Sequence, residues 1–462
     1  MKGTPKYQGT WRDYQKKLKR DIQKQYYLRK MPWVVLRAGG SFLVFLVVLY
    51  GGPQILSTFG KKPAQQPEPR LEHEQERAPR LSRGRLQELL LLSKADLFPV
   101  SKTYSCEEQG KKLTLETSID TGLQAFVERL LKRSMTYEAA VVVLNPKSGE
   151  ILALANHDRS EQRREENLCL KADFPAASIF KIVTAAAAIE AKGFVLGTKL
   201  VFRGRRHTLY RSQLKKTAGR YATKTTFEKA FSCSINPVFG KIGIYELGSS
   251  LLSEYAERFL FNRRIPFDVP LETSQVEVPE DEYDVPLETS QVEVPEDEYG
   301  VAEMASGFNR KTLVSPLHVA LITAAIANGG IMMAPWLVRD AKDEAGRVIY
   351  RASPSQLGNP VGEKTARTIM SLMKATAFKG TCRSAFRPLV RKRSFSKIEL
   401  GAKTGTINDA KDQHKYDWVT CYAIPQQGTG AVCLAVLVVH GKKLGIRANE
   451  MARYILDYRF SS

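Results

Sequence analysis

Histidine is scarce in this chain, six residues among 462, and the six form no cluster. A histidine-based triad or metal site therefore has no basis in the pattern. Cysteine is as sparse: Cys106, Cys169, Cys233, Cys382, Cys421 and Cys433, with no pair at metal-ligand spacing. Neither a metal nor a cofactor is expected. Negative charge is in the minority, 48 Asp and Glu against 70 Lys and Arg, for a net charge of +22. No helix-turn-helix, RNP-like or zinc-knuckle pattern accompanies that surplus, so no nucleic-acid partner is expected. Attraction to anionic polymers or lipid headgroups, and a generic solvated basic surface, are both compatible with it.

What is present begins with the N-terminus. Residues 1–30 carry ten Lys and Arg against Asp13 and Asp21, a local +8. Met31–Gly52 follows, apolar but for Arg37. Its 22 residues, at about 1.5 Å each, reach about 33 Å, enough for a hydrocarbon core of about 30 Å. Arg37 lies within two turns of the basic end and can snorkel outward. The lysine-rich side is expected to stay cytoplasmic, making 31–56 an uncleaved single-pass anchor in the cytoplasmic (inner) membrane and sending the bulk of the chain outward. A cleavable signal fits less well, because Gly51-Gly-Pro-Gln-Ile-Leu-Ser57 offers no Ala-x-Ala-like site. Residues 57–111 are rich in proline and charge and predict an extended or disordered spacer, with one short juxtamembrane helix over Leu86–Leu92. Residues 112–462 remain as the globular domain.

Three short words in that domain carry chemistry: Ser178-Ile-Phe-Lys181, Ser234-Ile-Asn236 and Lys403-Thr-Gly-Thr406. They supply a hydroxyl nucleophile, a lysine able to take its proton, a second hydroxyl with an amide, and a cationic strand able to hold a carboxylate. Ser-x-x-Lys alone is weak, for it also occurs at Ser212–Lys215, Ser371–Lys374 and Ser394–Lys397. Ser178 differs in its setting. It opens an alanine-rich apolar run predicted to be a buried helix, near the positive end of the helix dipole, with Lys181 on the same face.

Together these words identify the chain as similar to the penicillin-binding proteins, the transpeptidase branch of the penicilloyl-serine transferases. Leu113–Asp120, Ala139–Ala155, Glu303–Phe308, Ser315-Pro-Leu317, Ala327–Gly330, Asp417-Trp418 and the closing stretch Ala448–Tyr458 also resemble segments of that family. The resemblance implies an α+β fold: an antiparallel five-stranded sheet flanked by helices, plus an all-α subdomain. It implies Ser178, Lys181, Ser234 and Lys403 as catalytic residues, with Lys181 the acylation base and Ser234 a proton relay. Asn236, Thr404, Gly405 and Thr406 would bind substrate, and the backbone N–H groups of Ser178 and Thr406 would form an oxyanion hole. The implied activity is D,D-transpeptidation of D-Ala-D-Ala stem peptides, with β-lactams acylating Ser178. A D,D-carboxypeptidase, a β-lactamase or β-lactam sensor, and a non-catalytic cell-wall scaffold are the alternatives. The short spacer leaves no room for a glycosyltransferase domain, so a monofunctional, class B-like protein with a separate glycan polymerase as partner is implied.

Two features stand apart. Asp268–Tyr283 is followed by an identical copy, Asp284–Tyr299, each with six acidic residues and no basic one. One copy satisfies the family pattern, so the second is expected to loop out; a tandem duplication, a sequence artefact and an acidic docking loop are the readings of 268–299. Cys421 and Cys433 lie opposite each other if their two strands form a hairpin centred on Gln427, where they could bond or remain buried thiols.

Overall fold

The computed structural model describes residues 81–461, except 93–99, 109, 160–162, 164–165, 217–220, 278–295 and 443. The expected tail (1–30) and anchor (31–56), and the middle of the duplicated segment, lie outside the described residues. No helix among the described residues is long and apolar enough to cross a membrane.

The central sheet takes β1 (Glu138–Leu144) and β2 (Ile151–Asp158) from the start of the domain. A helical middle follows, in which a small hairpin, β3 (Lys199–Phe202) and β4 (Thr223–Thr226), is inserted. The sheet is completed by β5 (Ile398–Asn408), β6 (Lys415–Pro425) and β7 (Val432–His440) near the end. Its order is β5-β6-β7-β1-β2, antiparallel throughout. β7 is central and buried along its whole length, which is why its sequence is a continuous apolar run rather than an alternating one.

Helices cover both faces. Among them, in chain order, are α1 (Arg83–Leu92), α2 (Thr121–Lys132), α3 (Lys181–Lys192), α4 (Asn236–Ile242), α5 (Glu296–Ser306), α6 (Pro316–Ala327), α7 (Glu363–Phe378) and α8 (Ala448–Phe460). α2 and α8 pack on one face, with Phe126 and Tyr458 stacked at 4.3 Å. α6 lies on the other face, and α7 packs beside it against β5. From Pro316 to Ile326 every residue of α6 is buried, so it is an internal helix with apolar residues all round. α3, α4 and α5 gather on that side as the helical half of the domain. The expected α+β architecture with a five-stranded antiparallel sheet is present.

The stretch read as an extended spacer is partly folded. α1 buries Leu86, Leu89 and Leu90 in the domain core, and Thr103–Glu108 forms a strand paired with Lys111–Thr117. Arg83 holds α1 in place, 3.3 Å from the buried Asp268 carboxylate and 2.6 Å from the Pro335 carbonyl. Those partners lie far along the chain, so local composition could not reveal them.

The duplicated segment is used from both ends. Asp268 accepts hydrogen bonds from the backbone N–H groups of Leu337 and Val338, at 2.6 and 2.9 Å, and Gln275 bridges to Leu313. The end of the second copy, from Glu296, starts α5. The expected looping-out concerns residues outside the described ones.

Of the two readings of Cys421 and Cys433, buried thiols hold and the facing pair does not. Cys421 and Cys433 are both buried, and neither is in a disulfide. In the β6–β7 ladder Cys421 faces Leu434 and Cys433 faces Tyr422, so the two thiols point to opposite faces of the sheet.

Candidate active site

Ser178 sits in a single 3-10 turn, Ala177–Ile179, immediately before α3. Pro175 is not the first residue of the helix but part of a two-residue strand paired with Leu313–Val314. Trp418 Nε1 donates to the Pro175 carbonyl at 2.9 Å, tying the serine turn to β6. Ala177 has a left-handed φ of +47°, an uncommon conformation for a residue with a Cβ. Opposite it, Gly307 (φ +63°) comes so near that a Cβ there would stand 1.9 Å from the Ala177 carbonyl oxygen.

Lys181, the first residue of α3, is fully buried. Its Nζ lies 2.7 Å from Ser178 Oγ and 2.8 Å from Asn236 Oδ1, and it also donates to the Ser306 carbonyl. The Asn236 amide is oriented from its far side, where Nδ2 donates to the His207 carbonyl at 3.1 Å. Ser306 is positioned through α5, whose Ala305 carbonyl accepts from Thr184 of α3 at 2.8 Å. Ser234 has φ +54° in the turn before α4, a second left-handed non-glycine residue at the site. Such residues persist only where surrounding structure enforces them.

β5 is an edge strand, and its outer border faces the serine turn. A Cβ on Gly405 would stand 3.2 Å from both the Ser178 amide nitrogen and Ala177 Cβ, so the strand passes directly against the turn. Lys403, also fully buried, reaches Ser234 Oγ at 3.1 Å and the Thr404 carbonyl at 2.7 Å. Thr404 and Thr381 share a hydroxyl–hydroxyl hydrogen bond of 2.6 Å, while the Thr381 N–H donates to the Ser232 carbonyl at 3.1 Å. Thr406 is exposed and donates to Asp417 at 3.3 Å.

Burial dominates the electrostatics. It pushes Lys181 well below the usual lysine range, and the Lys403 charge adds to the shift. Burial likewise lowers Lys403 to about 7. No carboxylate among the described residues offsets either effect. A buried amine that loses its proton near neutrality can act as a base.

The structure thus brings Ser178, Lys181, Ser234, Asn236, Lys403, Thr404, Gly405 and Thr406 around one cleft. The other Ser-x-x-Lys words fall elsewhere: Ser212 exposed on the short helix Arg211–Leu214, Ser371 on the exposed side of α7, where it bonds the Arg367 carbonyl, and Ser394 in an exposed turn. Four contributors escaped the sequence reading. Ser306 acts through its carbonyl, which carries no side-chain signal. Gly307 and Thr381 matter through close approach and register. His207 lies beside the Ser234 backbone, its imidazole pKa lowered by burial and by the two lysines. One arginine-rich neighbourhood and a lone histidine gave no signal for it.

Fold and site together hold what acyl transfer through a serine ester requires: a hydroxyl, a buried amine beside it and an edge strand alongside. The family model of the penicillin binding protein transpeptidase domain matches residues 139–457, and the chain belongs to that family. Its relatives include stage V sporulation protein D of Bacillus subtilis, 23% identical over 313 residues, covering 65% of this chain and 44% of that protein. Another is peptidoglycan D,D-transpeptidase PbpA of Mycolicibacterium smegmatis, 26% identical over 332 residues, covering 65% and 62%. The chain therefore spans less than two thirds of the length of either. Among solved structures, PBPA from Mycobacterium tuberculosis superposes with a TM-score of 0.58 at 21% identity, over 75% of this chain and 82% of that one. The imipenem acyl-enzyme complex of penicillin-binding protein A from M. tuberculosis gives 0.58 at 22% identity, over 74% and 78%. At these identities the structural likeness is one of fold.

Proposed function

We propose that this chain is a class B-like peptidoglycan D,D-transpeptidase that works through an acyl-enzyme on Ser178 and is acylated there by β-lactams. The observation that carries the reading is the environment of Lys181 Nζ. A neutral amine has two N–H bonds and one lone pair. The Asn236 amide oxygen and the Ser306 carbonyl can only accept, so both N–H bonds are committed to them and the lone pair is left for the Ser178 hydroxyl proton. As Ser178 Oγ attacks the penultimate carbonyl of a D-Ala-D-Ala stem peptide, its proton passes to Lys181. The C–N bond then breaks, and the departing D-alanine nitrogen receives a proton through Ser234, which Lys403 holds. An amine of a neighbouring stem attacks the ester, forms the cross-link and frees Ser178.

Lys403, Thr404 and Thr406 bind the terminal carboxylate, and Asn236 bonds the acyl side. The open border of β5, with Gly405 leaving room, lets the peptide add as a further strand. Backbone N–H groups of Ser178 and Thr406 receive the oxyanion, where loss of one donor typically costs about 100-fold or more. The basic residues 1–30 and the apolar 31–56 support an inner-membrane anchor with the N-terminus cytoplasmic and the domain outside. A separate glycan polymerase would supply the strands to be cross-linked.

The test is fluorescent-penicillin labelling of wild type and Ser178→Ala, followed by product analysis with paired stem peptides. Stable labelling of wild type alone, with cross-linked dimer formed, is the expected result. Rapid turnover of the penicillin would point to a lactamase, release of D-alanine without dimer to a carboxypeptidase, and absence of labelling to a scaffold.

A further inference from the structure

Outside the acyl-transfer cleft, a cavity of about 640 Å³ opens between the β3–β4 hairpin and the far end of α4. Its apolar lining includes Val201, Val238 and Ile242, while four lysines line it, Lys199, Lys216, Lys224 and Lys241, against the single carboxylate of Glu246. The charges are placed by regular structure. In the hairpin, Lys199 pairs with Thr226 and Val201 with Lys224, so Lys199, Val201 and Lys224 share one face. Lys241 comes from the last turn of α4, on the opposite wall. Its Nζ is shielded from solvent yet has no hydrogen-bond partner among the described residues. Burial and the neighbouring Arg203 both disfavour its charge. A shielded ammonium without an acceptor is costly, and an incoming anion relieves it.

We propose that this cavity is a binding site for a phosphate group, carried either by a soluble anion or by a lipid headgroup. Compact lysine ammonium groups act as point charges that can close on a phosphate from several sides. The apolar lining receives the organic part of the ligand. None of the cleft residues takes part, so the site stands or falls independently of the Ser178 chemistry.

The test is calorimetric titration of the full chain in non-ionic detergent at about 50 mM salt, where screening is modest. One arm uses inorganic pyrophosphate and the other a short-chain phosphatidylglycerol. Lys199→Glu/Lys224→Glu is compared with a control of the same charge change, Lys147→Glu/Lys364→Glu, and Lys241→Gln with Lys147→Gln, the control positions being exposed and outside the cavity lining. Retained penicillin labelling reports that each variant is folded. The expected result is one saturable site in at least one arm, weakened about tenfold or more by each cavity variant and little changed in the control. Binding of pyrophosphate alone identifies a soluble ligand, and binding of the phospholipid alone a headgroup; both outcomes support the site. Absence of saturable binding in both arms, or equal weakening by cavity and control variants, overturns it.

Discussion

The Asn236 amide oxygen lies 2.8 Å from the Lys181 amine, and the amide cannot turn away because its nitrogen is bonded to the His207 carbonyl. Asn236→Asp would set a carboxylate against the buried amine and raise its pKa, keeping it protonated at neutral pH. Acylation by a fluorescent penicillin is expected to fall by about 10²- to 10⁴-fold near pH 7. It should recover in part as the pH is raised toward about 10, the ordinary range of a lysine. A drop that is the same at every pH would remove Lys181 from the role of base.

The two buried lysines oppose folding. Lys403 has a folded pKa of about 7, whereas an unfolded lysine stays near 10.4. Between those values the unfolded chain binds more protons, so stability rises with pH across that window and the penalty is complete below it. Lys403→Met should therefore melt higher than wild type at pH 7, by about 1–2 kcal/mol, while losing acylation. The advantage should shrink by about pH 10, where the wild-type penalty has faded. Melting curves at the two pH values read the difference.

Gly307 faces the serine turn at a distance no Cβ can occupy. With its φ of +63°, Gly307→Ala meets both strain and a clash with the Ala177 carbonyl. The expected cost is about 2–4 kcal/mol of stability, and any folded fraction should acylate more slowly, because the turn that presents Ser178 is displaced. Wild-type kinetics in that variant would show the contact to be slack.

Thr381 is joined to Thr404 by one hydroxyl hydrogen bond and to Ser232 by its backbone. Thr381→Val keeps the shape and the backbone link but frees the Thr404 hydroxyl. Second-order acylation by carboxylate-bearing β-lactams should fall about tenfold, through weaker initial binding rather than a slower bond-forming step. Saturation kinetics separate the two.

Deleting residues 280–295 joins Pro279 to Glu296 and leaves one complete copy of the repeated unit. The buried Asp268 and the start of α5 are both retained. Acylation should be unchanged, and stability should differ by less than about 1 kcal/mol, since the length of chain between two fixed points alters closure entropy only slowly. A large loss in either would give the duplicated segment a role.

Much of this arrangement was legible beforehand because short-range chemistry wrote it. The alanine-rich run after Ser178 could only be a buried helix, and the apolar strands of the closing hairpin could only be interior. Register was not legible. A shift of one position in the β6–β7 pairing sends Cys421 and Cys433 to opposite faces. Nor was the place of α1, whose leucines look like a juxtamembrane segment until Asp268 and Pro335, far along the chain, are seen to hold Arg83. In the cleft, side chains declared themselves by type, whereas the Ser306 carbonyl had no letter of its own.

Because β5 borders the sheet with no further strand on its outer rim among the described residues, an extended peptide added there would be gripped chiefly through its main chain, which is the same for every sequence. Discrimination between donors must then come from the flanks: the arginine- and histidine-bearing segment around residues 205–207 on one side and the threonines about the cationic strand on the other. Efforts to evade or retarget β-lactams would accordingly find their leverage in those flanks and little of it along the rim itself.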